Sequence, residues 1–425
     1  MELTPAIAES KPKNRSTTVS ICHYCIAAYA CFRHLLIPKY RETDGLRSVL
    51  LFFSAHIGDV IIFLDVLKEY QTLYSERNGY RLVFACRGEV RSFLRAIGAA
   101  GEMEFVEVNR DDILRSYSKF KSAVREVSLK QYALFINPRV VSVIEYVFEY
   151  CVCAKERYIV RVDGDESKSS FKERFFRDRI EQKAISVPRE MMLLGRFYSL
   201  LDMLTGQKHE VRMPRLSVSR SITGLPEHYI VVAPGTSETP SKCWAVENYA
   251  KLVNELIDVY GMDICLSGGK NDRFYSGRVL DAVHNTDKVY DYVGTTSFTQ
   301  WIDLIGNADI VICNDSSPMH IAAAVGVPCV CIGGQWEGSC YYPYVVDALR
   351  DDDVLPSVVL GEKLPCYYCT LTVKGRTGNK ACKEAMERSA AYPCIRNVKY
   401  SDVIMRVFEL LAPSNTCEDY CDAHG

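Results

Sequence analysis

At 425 residues the chain is too long for one ordinary domain, and with 48% hydrophobic residues it can bury sizeable cores. Lys+Arg 51 against Asp+Glu 53 leave a formal net charge of -2, which excludes a broad nucleic-acid-binding face and leaves room for local basic patches. The 18 cysteines do not imply a disulfide framework in a chain of this length. Cys265, Cys313, Cys329 and Cys331 sit in apolar runs and read as small buried hydrophobes in a reducing compartment.

Lys11, Lys13 and Arg15 precede an apolar stretch, Val19 to Ile37, that is interrupted by His23, Arg33 and His34. The outline is that of a signal peptide, but the ionisable residues at its far end and the lack of a small-x-small cleavage site speak against one. No uninterrupted apolar run reaches the ~20 residues of a membrane span. Residues 1–46 therefore read as an extension whose segment Val19 to Arg41 forms a helix lying on a membrane surface or on the protein body.

From Ser48 onward, short β-branched runs alternate with amphipathic segments. Strands are expected at Ser48–Ser54, Arg81–Arg87, Met103–Val108, Tyr132–Asn137 and Arg157–Val162, with helices at Val60–Tyr70 and Val90–Ile97 among them. Continuous apolar runs of this kind suit a parallel sheet covered on both faces. A helix over Arg189–Thr205 leads into the Pro/Ser-containing stretch Met213–Pro226, where the domain boundary is placed. The pattern then repeats. Strands are expected at Tyr229–Ala233, Asp263–Ser267, Lys288–Tyr292, Asp309–Asn314 and Pro328–Gly333, with helices at Ala245–Tyr260, Asp272–Val283, Ser297–Gly306 and Pro318–Val325. In Ser297–Gly306 the apolar Phe298, Trp301, Ile302 and Ile305 recur at helical spacing. The expected fold is α/β: two doubly wound, Rossmann-like domains, residues 47–212 and 213–412, facing a cleft, with a tail at 413–425.

Three stretches carry candidate chemistry. In NDSSPMHIAAAVG (Asn314–Gly326), Asp315, Ser316 and Ser317 offer N-cap side chains and Pro318 suits the first helical turn. Ala322–Ala324 let the helix approach the sheet and Gly326 ends it. The helix tip would leave the carboxyl edge of the sheet, where a phosphate binds. A capped crossover helix without a ligand would look the same. In APGTSETPSKCW (Ala233–Trp244), hydroxyls and backbone N–H groups could hold phosphate oxygens and Lys242 could neutralise a leaving diphosphate. The P-loop spacing is absent, and a polar loop with a solvated lysine is the plain alternative. In SAHIGD (Ser54–Asp59), Gly58 permits close approach, and Asp59 stands at a helix N-terminus as an N-cap or as a general base.

Together the three stretches resemble glycosyltransferase family 9, the heptosyltransferases of lipopolysaccharide core assembly, from about Val49 to Tyr344 with order and spacing kept. The resemblance implies a GT-B architecture, an N-terminal acceptor domain, a C-terminal donor domain, and an inverting, metal-independent transfer. It implies Asp59 as base and Lys242 at the donor diphosphate with Thr236 and Ser237 beside it. Asp315, Ser316, Ser317 and His320 would line the donor pocket, and Asp272 in GGKNDR stands in for the family's acidic donor contact. In the loop that carries Glu238 and Pro240, Pro240 departs from the family, which commonly has charged or hydroxyl residues there. No cofactor and no nucleic acid are expected. The nucleoside-diphosphate sugar, ADP-heptose among the candidates, is a substrate, and the acceptor is a saccharide or lipid-linked saccharide. The expected location is cytoplasmic, peripheral at the inner face of the membrane.

Asp163-Gly164-Asp165 spells a DxD, but Asp-Gly is a common turn pair, and the tripeptide lies far from the donor stretches. Asp351–Asp353 reads as a solvated loop. Cys366, Cys369, Cys382 and Cys394 could bind a structural zinc, though the last two spacings are irregular. A sugar-nucleotide epimerase of the same plan and a non-catalytic nucleotide-sugar-binding homologue remain as other functions. The presence of both Asp59 and Lys242 speaks against the second.

Overall fold

The computed structural model describes residues 15–37, 40–41, 45–140, 143–163, 171–180, 183–236, 241–335, 338–367, 380–388 and 390–411. The first half forms β1 (Arg47–Phe53), α2 (Ile57–Leu73), β2 (Tyr80–Cys86), α3 (Gly88–Ala96), β3 (Glu104–Glu107), α4 (Arg110–Arg115) and α5 (Tyr117–Val127). It continues with β4 (Tyr132–Val140), α6 (Val143–Glu149), β5 (Ala154–Val162), α7 (Phe171–Ile180), β6 (Lys183–Val187) and α8 (Leu193–Thr205). The strands pair in parallel in the order β3-β2-β1-β4-β5-β6. β1 lies at the centre, and Val49–Phe53 are all buried because helices cover both of its faces.

The second half contains β7 (Tyr229–Ala233), α9 (Val246–Tyr260), β8 (Asp263–Leu266), α10 (Arg273–Asp281), β9 (Val289–Asp291) and α11 (Phe298–Gly306). After these come β10 (Ile310–Asn314), α12 (Ser317–Val325), β11 (Cys329–Gly333), α13 (Gly338–Tyr341) and β12 (Ser357–Leu360). Its strand order, β12-β11-β10-β7-β8-β9, is the same winding as the first sheet. In each sheet the chain reverses direction of travel once, between β1 and β4 and between β7 and β10. Crevices at such switch points, beyond the carboxyl ends of the strands, hold ligands in doubly wound sheets.

The expected elements are present, with shifted ends. β6 and β12 are additions: both are short edge strands with half-exposed side chains, so neither shows a continuous apolar run. The expected helix from Arg189 starts only at Leu193, because Pro188 to Met191 form a turn closed by Met191 N–H on the Pro188 carbonyl at 3.1 Å. A helix at Tyr400–Leu411 packs on β10, β11 and β12 through Val403, Ile404 and Val407.

The N-terminal extension is helical over Arg15–Leu35, here α1. It rests on the protein body: Ile26 and Ala30 are buried, Tyr29 meets Tyr117 edge-on at 5.7 Å, and His34 stacks on Tyr150 at 3.8 Å. Among the described residues no helix is long and apolar enough to cross a membrane.

The segment after α8 is stitched to the second half. Leu216 N–H donates to the Ala324 carbonyl at 3.0 Å, and Val211 N–H donates to Asp347 Oδ2 at 2.8 Å. Asp303 accepts from Ser219 N–H and Oγ, both at 2.7 Å. The Asp351–Asp353 stretch departs from the solvated loop expected of it. Asp352 reaches Arg215 from the surface, but the Asp353 side chain is fully enclosed and pairs with Arg215 at 2.7 Å and Arg350 at 3.4 Å. Two arginines offset the cost of burying that charge, a pairing that local composition does not announce.

Candidate active site

The two switch points face one another. On the C-terminal side, Asn314 ends β10 and ties the Ala233–Trp244 and Asn314–Gly326 stretches together: its Oδ1 accepts from Trp244 N–H at 3.0 Å and its Nδ2 donates to the Pro234 carbonyl at 2.6 Å. Trp244, wholly buried, anchors the same loop from below through Nε1 on the Val398 carbonyl at 3.0 Å. Asn314 is therefore a clamp holding the β7 loop against the tip of α12. At that tip Ser316 is the N-cap residue, yet its hydroxyl makes no cap bond. Ser316, Ser317 and Pro318 all border the cleft, so the positive end of the helix dipole faces it.

Asp272 closes a turn after β8 by accepting from Gly269 N–H at 2.8 Å. Its carboxyl lies directly against Gly235, where an added Cβ would fall 2.2 Å from Oδ1, so only glycine fits. Burial raises the pKa of Asp272, against the Gly269 hydrogen bond. These groups border a cavity of about 620 Å³, well within the size range of small-molecule sites.

On the N-terminal side, His56 and Ile57 at the tip of α2 complete the cavity wall. A Cβ on Gly58 would stand 3.0 Å from His320 Cδ2 and 3.2 Å from Ser317 Oγ, so the tips of α2 and α12 nearly touch across the domains. Asp59 follows and is buried. Its Oδ2 accepts from His56 N–H at 3.2 Å and from Arg139 Nη1 at 3.4 Å, and its Oδ1 is enclosed with no hydrogen-bond partner. His320, beneath Gly58, shares a 2.7 Å hydrogen bond between Nδ1 and the Tyr344 hydroxyl. Burial lowers its pKa although Asp315 and Asp59 pull the other way, which keeps the imidazole neutral at pH 7.

Of the expected site residues, Thr236, Asp272, Ser316 and Ser317 share the cavity wall. Asp59 and His320 sit just behind it, buried at the contact between the domains. Asp315 is also buried, and Lys242 is half-buried on the turn before Cys243; neither is among the wall residues. Ser237 lies outside the described residues, as do Gly164 and Asp165 of the DxD and Cys369 of the cysteine set. Among the described residues no group of three or more His, Cys, Asp or Glu could hold a metal.

The sequence profile of Glycosyltransferase family 9 (heptosyltransferase) matches residues 151–345. Residues 151–345 belong to that family. The family 9 region thus takes in the end of the first sheet and the Ala233–Trp244 and Asn314–Gly326 stretches, while Ser54–Asp59 lies before it. Lipooligosaccharide heptosyltransferase 2 of Haemophilus ducreyi is 31% identical over 128 residues, 29% of this chain and 36% of that protein. The chain thus spans about a third of the length of the curated relative it matches. The solved glycosyl transferase family 9 protein of Veillonella parvula superposes with a TM-score of 0.61 at 16% identity, covering 88% of this chain and 99% of that one. The E. coli ADP-heptose lps heptosyltransferase II superposes with 0.57 at 16% identity, covering 86% and 98%. These two likenesses carry the fold, the paired Rossmann-like domains of GT-B.

Within this frame, several cleft residues were missed in the sequence. Phe298 and Trp301 of the family 9 region, read as one apolar helix stripe, turn to the cavity, with Trp301 Nε1 donating to the buried Ser267 hydroxyl at 3.0 Å. Lys270 brings a cation to the same wall. Opposite stands a charged group from the first half. Arg87 donates to Glu89 at 3.0 Å and to Asp111 at 3.1 Å, and His56 Nδ1 lies 3.2 Å from Glu89. The His56 hydrogen bond, with help from Arg87, holds the Glu89 carboxyl below its ordinary range. Burial alone would raise Asp111, but Arg87, with His56 and Arg110, outweighs it and the net shift is downward. No local motif marks Arg139, Arg87, Glu89 or Asp111. The one available signal was position, since Arg87 follows β2 and Arg139 ends β4 on the carboxyl side of the sheet.

Proposed function

We propose that the chain is an inverting glycosyltransferase that moves heptose or a related sugar from a nucleoside-diphosphate donor, ADP-heptose by family likeness, to a lipopolysaccharide-core acceptor. The observation that supports this reading best is the meeting of two helix tips over one cavity. The α12 tip suits a diphosphate, and the α2 tip carries a carboxylate with one bare oxygen. Residues 47–212 would hold the acceptor and residues 213–412 the donor. Asp59 Oδ1 would take the proton of the acceptor hydroxyl as that oxygen attacks the anomeric carbon. The bond from that carbon to the phosphate oxygen breaks, and its electron pair leaves with the nucleoside diphosphate. The N-terminus of α12, Thr236 and Lys242 would stabilise the departing charge without a metal. Trp301 and Phe298 offer faces for the base. Contact of the two tips excludes water, which would otherwise hydrolyse the donor.

The site of action on this reading is the inner face of the cytoplasmic membrane. Phe32, Leu35 and Leu36 at the end of α1 are exposed, as is Leu129, which follows the Ser128 that Arg33 of α1 bonds at 2.9 Å. Exposed Arg41 and Arg125 suit an anionic surface.

Release of nucleoside diphosphate from ADP-heptose, with and without a lipopolysaccharide-core extract, tests the proposal. Acceptor-dependent release is expected. Conversion of donor without acceptor would instead indicate an epimerase, and binding without turnover a non-catalytic homologue. Asp59→Asn should leave donor binding within about twofold and lower transfer by at least ~10²-fold. Full activity in that variant removes Asp59 from the chemistry.

A further inference from the structure

β4 reads YALFINPRV, and its pairing with β5 slips near the end. Asn137 stands opposite Ile159 and Val140 opposite Val160, so Pro138 and Arg139 have no partners on β5. Such bulges bend a strand and re-aim its side chains, and Pro138 has no N–H to leave unpaired in the gap. The bulge is gripped from inside the protein. Asn137, almost wholly buried, accepts from Arg139 N–H through Oδ1 at 3.1 Å and donates through Nδ2 to Glu149 Oε1 at 2.8 Å. Glu149 is the last residue of α6 and has no solvent exposure. With its backbone held this way, Arg139 crosses the switch point of the first sheet and places Nη1 3.4 Å from Asp59 Oδ2.

We propose that Arg139 is a positioning residue for Asp59, aimed by the Asn137–Glu149 clamp. This rests on the reading of Asp59 as the base. Two donors, His56 N–H and Arg139 Nη1, converge on Oδ2 from α2 and from β4. Together they fix the plane of the carboxylate, which a single donor would leave free to turn about χ2. Oδ1 has no donor, so its lone pairs stay uncommitted, and because it is enclosed a hydroxyl reaches it only as the tips of α2 and α12 part. Backbone geometry made in the first sheet by buried groups thus decides which carboxylate oxygen reacts.

The test compares Arg139→Met, Arg139→Lys and Asn137→Ala in the full chain, using ADP-heptose and a core extract. Arg139→Met should lower kcat by about 10²-fold, the usual cost of a misplaced catalytic group, with acceptor KM and ADP affinity held within about twofold. Arg139→Lys should recover most of the loss, and Asn137→Ala should lie between. A raised acceptor KM with kcat retained would make Arg139 an acceptor ligand and overturn the proposal. So would full activity of Arg139→Met alongside an inactive Asp59→Asn, an outcome that leaves the proposed function standing. Crystal structures of wild type and Asn137→Ala decide the point even if no transfer is found. The Arg139–Asp59 contact should be lost in the variant, and its survival would refute the clamp.

Discussion

Gly58→Ala probes the closest approach of the two halves. The new Cβ would sit 3.0 Å from His320 Cδ2 and 3.2 Å from Ser317 Oγ, where ordinary contact begins at 3.4 Å. The tips of α2 and α12 must therefore part by about 0.4 Å. Neither neighbour yields easily: His320 is buried and bonded to Tyr344, and Ser317 Cα lies only 3.5 Å away. Alanine favours the helix by about 1 kcal/mol over glycine, while overpacking costs about 1–3 kcal/mol, so the net stability change should stay within ~2 kcal/mol. Activity should respond far more. Asp59, the proposed base, is the next residue, and displacement of a catalytic group by a fraction of an ångström to 1 Å costs ~10- to 10²-fold. kcat/KM with ADP-heptose and a core extract, set beside ADP affinity and thermal unfolding, separates the two effects. Unchanged kcat/KM in a folded Gly58→Ala protein would show that contact between the tips is not needed for turnover.

Gly235→Ala would place a methyl group 2.2 Å from Asp272 Oδ1 and drive that side chain out. Donor affinity should fall about tenfold or more in a binding titration, and Asp272→Ala should match it; unaltered affinity in both would remove Asp272 from the donor site. Burial pushes the Glu149 carboxyl up to about 8, against its Asn137 bond and Arg157. Folded protein then holds a proton that unfolded chain releases above about 4.5, so stability falls as pH rises from about 4.5 to about 8 and levels off beyond. Glu149→Gln should flatten that slope, worth on the order of a few kcal/mol, in urea unfolding at pH 5, 7 and 8.5, and an unchanged slope would assign it to other groups. Full-length protein should sediment with phosphatidylglycerol-containing vesicles, and Leu35→Ser with Leu36→Ser should reduce that at least ~10-fold. Equal sedimentation of the double variant would place membrane contact elsewhere.

Much of the fold was legible because parallel strands buried on both faces leave continuous apolar runs, and caps and terminal glycines are local features. VLLFF, YIVVA and IVICN are buried throughout, and Gly326 ends α12 in the left-handed conformation. The edge strands β6 and β12 escaped because a half-exposed strand of four or five residues has no such signature. In the site, the tips carrying Asp59 and Ser316–Pro318 could be placed from strand–loop–helix order alone.

What the linear chain determined, then, is the succession of units and which loop leaves the carboxyl end of which strand, since these depend on side chains a few positions apart. Tertiary structure decided the rest. Arg139 reaches Asp59 across 80 positions because a register slip turns it there, and the residue that holds the slip, Glu149, comes from another helix. Trp301 packs at the edge of the core and also lines the cavity, because α11 sits beside the Ser267 loop. Such contacts join residues distant along the chain, and their geometry exists only once both sheets are packed.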